Sequence, residues 1–473
     1  MKPVVTVEEM RAADAAALRA VEESVLVRRA GAAVARAGVA MLGSAYGRKV
    51  VVVAGKGNNG NDGRVAASLL RRRGARVEVV EVAEQRAALP PVDLVIDAAF
   101  GTGFRGSYEA PAVAPGSAVL AVDIPSGVDG DTGAAAGRPM VAQRTVTMAA
   151  YKAGLLQGAG PLFAGTVEVA DIGVPIERAQ AALVEDADVD SIVPDRPYAT
   201  HKWATSVAVV AGSPGMEGAA ALSAQGASRG GAGMVRLVVP GTAETSGAGV
   251  QWPLECVRVP AAARGWADRV LGELERCRAL VIGPGLGRDD RTQDEIRRVL
   301  RHAPVPVVAD ADALVALGSA ERARELLIAG RPDRPPVILT PHDGEYRGLA
   351  GASPGGDRIG ASRRLAQRTG AIVLLKGPVT AVARPVSGGE EPSVLLSATG
   401  TSALATAGTG DVLSGLIGAF VARGVEAAAA AALAAHVHGA AAALGHAEGL
   451  VAPDLPGLIA TWRSRRSLQR RRG

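Results

Sequence analysis

The run KVVVVA, residues 49–54, is apolar at every position after the first and ends on the glycine-rich loop GKGNNGNDG. A strand with one wet face alternates polar and apolar side chains; a run without alternation is covered on both faces. The same device recurs along the chain. Runs of this kind read as strands at 76–82, 93–98, 118–123, 145–148 and 167–172, and again at 206–210, 234–239, 279–282, 305–309, 336–339 and 371–375, with helical patterns between them, as at 63–73. The expectation is an α/β protein of two doubly wound domains, each built on a mainly parallel sheet. A chain of 473 residues suits two domains. The acidic, then proline-rich stretch DADVDSIVPDRPYAT places a boundary near residue 195. The division is then a Rossmann-like domain at 1–195, a second α/β domain at 196–463 and a basic tail at 464–473.

Composition narrows the function classes. Aromatic residues make up only 3%, so the cores pack from Ala, Val and Leu. Much of the formal charge of +5 sits in the last residues, RSRRSLQRRRG, which read as a solvated, disordered tail; no nucleic-acid partner is expected. Cys256 and Cys277 form no CxxC pair, which speaks against a zinc site and for inert thiols in a cytoplasmic protein. The N-terminus reads as an amphipathic helix, and the alanine-rich run 427–443, holding His436 and His438, as a packed helix; no membrane partner is expected. His436, His438 and His446 lack metal spacing and read as structural. Lysine occurs six times against many arginines, so a retained lysine marks a place that needs a compact ammonium. Four of the six, Lys56, Lys152, Lys202 and Lys376, fall in motifs.

All three asparagines of the chain, Asn58, Asn59 and Asn61, stand in the first glycine loop. The loop has the GxGxxG pattern between a strand and a helix, a dinucleotide-binding context; a tight turn that needs small residues is the alternative. Two further strand ends carry polar loops: Asp97 followed by Gly101-Thr-Gly-Phe-Arg-Gly106, and DIPSGVDGDTG from Asp123. Carboxyl ends of parallel strands line one crevice, so Asn59, Asp97 and Ser126 can converge as oxygen ligands of a monovalent cation. Together the loops resemble the epimerase domain of the NAD(P)H-hydrate repair enzymes, a match that runs on through Lys152-Ala-Gly-Leu155 and covers most of residues 1–180. The resemblance implies K⁺ at Asn59, Asp97 and Ser126. It also implies hydrate contacts from Asn58, Asn59, Gly60, Asn61, Asp62, Gly101, Thr102, Gly103, Phe104, Arg105, Gly106, Ser107 and Asp123. Asn61 replaces a usual glycine, and Gln143-Arg144 a usual Ala-Asp.

In the second half, AGTGDVLSG from Ala407 puts backbone N–H groups at a helix start, suited to a phosphoryl oxygen, with Asp411 placed to act as base toward a hydroxyl. No GxxxxGK[ST] occurs. Polar loops at His201-Lys202, 211–220, 283–287, Asp310-Ala-Asp312, 340–345 and 376–380 follow the strands. The set resembles the ribokinase-like superfamily and, within it, the ADP/ATP-dependent NAD(P)H-hydrate dehydratases, over roughly 200–460; Trp203 replaces a common glycine. The resemblance implies that Lys376, Gly377, Pro378, Val379, Thr380, Gly408, Thr409 and Gly410 meet an adenine nucleotide with Mg²⁺. It implies that Gly218, Ala219, Gly285, Gly287, His342 and Asp411 meet the hydrated cofactor, His342 otherwise being an exposed loop residue. The implied function is bifunctional repair of hydrated NADH and NADPH: epimerisation of R and S hydrates, Asp123 centring the acid/base site, then dehydration of the S form at the expense of ADP or ATP through a phosphorylated intermediate. A homo-oligomer is expected. The rival is a vitamin-alcohol kinase fused to a non-catalytic ligand- or RNA-binding scaffold.

Overall fold

The computed structural model describes residues 1–242, 252–328, 334–385 and 393–470. It divides into two compact units, one of residues 2–181 with 355–358, the other of 182–354 and 359–473 with Met1. The division falls at 181/182, some fourteen residues before the expected boundary, because the acidic stretch is not a linker. It forms the helix Asp186–Ile192 and packs within the second unit.

The first unit carries a six-stranded sheet in the order Thr166–Ala170, Arg144–Met148, Ala118–Val122, Leu94–Ala98, Lys49–Ala54, Arg76–Glu81. Every pairing in it is parallel. The run 49–54 shows why its sequence does not alternate. Val50, Val52 and Ala54 enter the core against the helices Glu23–Leu42 and Asn58–Arg72, while Val51 and Val53 enter the core on the other face. Strand order reverses between Lys49–Ala54 and Leu94–Ala98, so the loops after these two strands part and leave a crevice at their carboxyl ends. The N-terminus departs from expectation: a short strand, Lys2–Val5, precedes the helix Val7–Ala17, whose start is fixed by a Thr6/Glu9 capping box.

The second unit orders its strands Val257–Ala261, Met234–Pro240, Ser206–Val210, Ala279–Ile282, Val307–Ala309, Val337–Leu339, Ile372–Leu375, Thr380–Ala383, Val394–Ser397. The first seven pair in parallel, and the last two fold back antiparallel. Those two short strands had no signal in the sequence beyond the loops flanking them. The helices Glu217–Gly230, Thr409–Ala422 and the alanine-rich Ala427–Ala442 fill its core, where small side chains let backbones approach: a Cβ built on Gly415 would lie 1.9 Å from Ser223 O. Among the described residues no helix is long and apolar enough to cross a membrane. Burial pushes the thiols of Cys256 and Cys277 up to about 11, which leaves both protonated and unreactive.

The basic tail expected at 464–473 is, as far as Arg470, the last turns of the helix Asp454–Arg470. Its arginines meet the acidic stretch on which the domain boundary was expected. Arg466 contacts Asp190 at 2.5 Å and Asp186 at 3.3 Å, and Arg470 reaches Asp195 at 2.9 Å. Residues 471–473 lie outside the described residues. Because the Arg466–Asp190 pair is partly shielded from water, Arg466→Ala is expected to lower unfolding free energy by about 1 kcal/mol in urea titration, with the loss shrinking at high salt.

Candidate active sites in the two units

The crevice of the first unit is a cavity of ≈ 790 Å³ lined by residues from the first two helices and from the loops that follow the strands. Its size suits a small organic ligand. The helix after strand 49–54 begins at Asn58, five residues earlier than expected, so the asparagines stand in its first turn, where free N–H groups favour anions. Gly55 and Gly60 permit this turn: a Cβ on Gly55 would meet Ala99 O at 1.9 Å, and one on Gly60 would meet Gly55 O at 1.9 Å.

Asn58, Asn59, Asp62, Gly101, Thr102, Gly103, Phe104 and Asp123 all line the cavity. Gly60, Asn61, Arg105, Gly106 and Ser107 do not line it. Asn61 is exposed and accepts a 3.4 Å contact from Arg64, so the departure from glycine points away from the crevice. Arg105 is exposed and pairs with Asp129 at 3.4 Å.

Asp97 and Ser126 are wholly buried beneath this floor. The Ser126 hydroxyl donates to one Asp97 oxygen at 2.6 Å and its N–H to the other at 2.9 Å. Burial nevertheless raises the Asp97 carboxyl above its ordinary range, outweighing those two donors. The Asn59 side-chain nitrogen is buried without a hydrogen-bond partner.

Asp123 sits at the carboxyl end of its strand with φ +66, a left-handed conformation that aspartate tolerates better than most residues. The bend turns its carboxylate toward Lys152, 2.5 Å away, and toward the Thr102 hydroxyl, which donates to it. Lys152 is 1% exposed and also donates to Met148 O at 2.7 Å and Thr147 Oγ1 at 3.0 Å. Burial works against a charge on Asp123, but the Lys152 ammonium overrides it and holds the carboxyl below its usual range. Asp62, by contrast, has burial and the nearby Asp123 charge acting together, which push it up to about 8. The site therefore holds one carboxyl kept ionised and one kept protonated. Lys152 carried no expected role of its own; the scarcity of lysine was the signal that could have found it.

In the second unit the loops at 211–220 and 283–287 meet at the reversal of strand order. Gly212 N donates to Pro284 O at 2.7 Å, and Ser213 Oγ to Gly285 O at 2.8 Å. Gly285, with φ +64, lets the backbone pass Ala219, whose Cβ would be 3.0 Å from an added Cβ. Gly218 faces open space. Gly287 N donates to Asp312 at 2.9 Å, and Arg288 pairs with the same carboxylate at 2.9 Å.

The helix Thr409–Ala422 starts from Gly408 at φ +87, with Asp411 in its first turn. Lys376 Nζ lies 2.7 Å from Asp310 Oδ1 and would be 3.3 Å from a Cβ on Gly410. The Ser414 hydroxyl donates to the other Asp310 oxygen at 2.5 Å. Asp310 is buried, which opposes its charge, but Lys376 beside it keeps the carboxyl below its ordinary range. Asp411 is pushed the other way, up to about 7, by burial and then by the Asp310 charge, with Lys376 only partly offsetting them. Buried His438 donates from Nε2 to Thr409 O at 3.0 Å and fixes the glycine turn; burial lowers its ring to about 4, so it stays neutral. His342 is the N-cap of the helix Asp343–Ala350, its Nδ1 accepting from Gly344 N at 2.9 Å and Glu345 N at 3.3 Å. Its imidazole is exposed, with Nε2 turned toward Glu345. Thr380 donates to Gly377 O at 3.3 Å and closes the turn 377–380 beside Lys376. Asp310 and Glu345 stood in polar loops of the sequence without a role of their own, and Arg288 was not singled out, being one charge beside a common glycine loop.

A dinucleotide-type crevice followed by a ribokinase-like fold, with a glycine turn, a lysine paired to a buried aspartate and a second aspartate of raised pKa, defines a two-domain enzyme that acts on a nucleotide-derived ligand. Comparison with known proteins makes this specific. A family model described as NAD(P)H-hydrate dehydratase matches residues 207–461, and one described as YjeF-related protein N-terminus matches 23–89 and 80–154. The bifunctional NAD(P)H-hydrate repair enzyme of Moorella thermoacetica is 36% identical over 84% of this chain and 83% of its own. That of Salinibacter ruber is 35% identical over 97% and 95%. A solved ribokinase-like superfamily protein from Enterococcus faecalis shares the fold of the second unit, with a TM-score of 0.50 and 20% identity over 61% of this chain and 96% of its own. The chain belongs to the family of bifunctional NAD(P)H-hydrate repair enzymes, and is both an isomerase and a lyase.

The buried pair in the first unit sets a stability test. Lys152→Met leaves Asp123 buried without its counter-charge and is expected to cost about 3–5 kcal/mol in denaturant unfolding. Adding Asp123→Asn to that variant is expected to restore more than half of the loss.

Proposed function

We propose the following division of work between the residues. In the first unit the hydrated cofactor lies in the cavity with its phosphates toward the helix start at Asn58 and its reduced ring toward Asp123. Asp123, held ionised by Lys152, takes a proton from the ring's hydroxyl. The observation that supports this is the pairing itself: a strained aspartate on the cavity wall, given a dedicated buried ammonium.

The residues Asn59, Asp97 and Ser126 fit a monovalent cation. They offer one buried carboxylate, one amide and one hydroxyl, an all-oxygen set suited to a hard ion of low charge. The buried Asp97 carboxylate has no cationic side chain bonded to it among the described residues. Among the described residues no three His, Cys, Asp or Glu side chains group as for a transition metal. K⁺ bound there would neutralise Asp97 and hold the ligand loop.

In the second unit Asp411 is the base that takes the proton from the hydroxyl of the S hydrate as that oxygen is phosphorylated. The N–H groups at Gly408, Thr409 and Gly410 and the ammonium of Lys376 meet the phosphoryl oxygens. The nucleotide, ADP or ATP, lies along 376–380; Mg²⁺ bound with it would neutralise phosphate charge. Gly218, Ala219, Gly285, Gly287 and His342 border the hydrate. Phosphate is a far better leaving group than hydroxide, and its departure, assisted by the ring nitrogen, restores the dihydronicotinamide. Membership of the repair family decides for this reaction over a vitamin-alcohol kinase, whose product would stay phosphorylated.

Two measurements test the assignment. Asp411→Asn is expected to lower dehydration of S-NADH hydrate by a factor on the order of 10²–10⁴ with hydrate binding kept, and near-normal turnover would overturn the role. Since the base works ionised, wild-type dehydration is expected to fall as pH drops through about 7. For the cation, exchanging K⁺ for a quaternary ammonium ion is expected to lower the melting temperature of the first unit and slow epimer exchange; an unchanged melting temperature and rate would remove the site.

A further inference from the structure

The first helix, Val7–Ala17, places Val7, Met10 and Ala17 in the core. Their spacing defines a stripe of positions 7, 10, 14 and 17, and the third of these is Asp14. A carboxylate there breaks the apolar pattern of its own helix, and aspartate is also a poor residue for a helix interior. Such local violations concentrate where function requires them.

The stripe looks into the first unit's cavity. Val7, Met10, Arg11, Asp14 and Leu18 all line it, together with Asp123 and Lys152. Asp14 is half-buried, and its carboxylate makes no hydrogen bond or ion pair among the described residues. It lies near enough to Lys152 and Asp123 to feel both charges; burial comes first, and its carboxyl is raised above the ordinary range. Arg11, one position along the same face, would be 3.7 Å from a Cβ on Gly103, so this helix reaches the loop beside Thr102. Three aspartates, Asp14, Asp62 and Asp123, line the cavity with Lys152, and the Lys152 ammonium is bonded to Asp123 alone among them.

We propose that Asp14 is the second catalytic residue of the epimerase site, the proton donor that works opposite Asp123. This rests on the reading of the first unit given above. Water added across the enamine of a dihydronicotinamide puts the hydroxyl on the carbon next to the ring nitrogen, so the hydrate is a hemiaminal. Asp123 removes the hydroxyl proton. The O–H electrons form a carbonyl, the carbon–nitrogen bond breaks, and its electron pair goes to the ring nitrogen, which takes the proton of Asp14. Rotation about the neighbouring carbon–carbon bond presents the other carbonyl face. The nitrogen adds to that face and returns its proton to Asp14, while the oxygen takes its proton back from Asp123. Every bond and proton is restored except the configuration at one carbon, and no co-reactant is consumed.

The test uses the full chain with a mixed R and S NADH hydrate, Mg²⁺, K⁺ and ADP or ATP. The second unit consumes the S form in a first phase; recovery of the R form in a second phase reports the first unit. Asp14→Asn is expected to slow the second phase at least 100-fold, with its KM for hydrate and the first phase unchanged. Asp14→Glu is expected to recover part of the rate. Asp14→Leu is expected to lose the second phase too, yet to raise the melting temperature of the first unit by completing the stripe. Second-phase rates within threefold of wild type in both Asn and Leu variants would overturn the proposal. So would a fall in melting temperature for both, which would mark Asp14 as structural, or a loss carried by Asp62→Asn and not by Asp14→Asn, which would give the role to Asp62. A wild-type second phase no faster than spontaneous exchange would instead sink the reading of the first unit on which the proposal rests.

Discussion

Each unit is organised around one lysine, buried in the first and half-buried in the second, that keeps one aspartate ionised. Lys152 does this for Asp123 and Lys376 for Asp310, at 2.5 and 2.7 Å. Parallel sheets clad on both faces leave polar groups only at the ends of their strands, where carboxylates crowd into a small, poorly hydrated space. There a single ammonium decides which acid carries charge. Acids not paired with it, Asp62 in one unit and Asp411 in the other, shift toward the protonated form. Differences in protonation between neighbouring carboxyls, the raw material of acid/base chemistry, follow from where two lysines sit.

The strands were legible because burial on both sides of a sheet leaves a signature no solvent-exposed element shares, as in 49–54. The glycine loops were legible because only glycine permits the approaches at Gly55, Gly60 and Gly285. Charge networks were not, since each pairs groups far apart in the sequence. Nothing near Asp186 announces Arg466, and nothing near Asp123 announces Lys152 beyond the rarity of lysine. The acidic stretch, taken as the domain boundary, and the tail, taken as solvated, escaped the sequence for the same reason: the partner that neutralises each lies about 280 positions away.

Of the candidate sites, the glycine-rich loops were readable as motifs, and the geometry adds which members face the cavity. Asn58, Asn59 and Asp62 do, and Asn61 does not. Asn58, Asn59 and Asp62 fall on the inward face of the helix's first turns and Asn61 outside it, a distinction that depends on where the helix starts. The sequence placed that start five residues late, so the face could not be assigned. His342 was legible as a special residue of a tight loop, but its ring nitrogen caps a helix, leaving only its outer edge for a ligand.

The arginine-rich end has a consequence for how the molecule presents itself to other macromolecules. Arg463 donates to Gly230 O at 2.6 Å, and Arg466 and Arg470 are engaged with Asp186, Asp190 and Asp195. These cations close the protein's own dipoles. The basic isoelectric point of about 9.4 thus overstates the field that a polyanion or an ion-exchange resin would meet at this end of the chain.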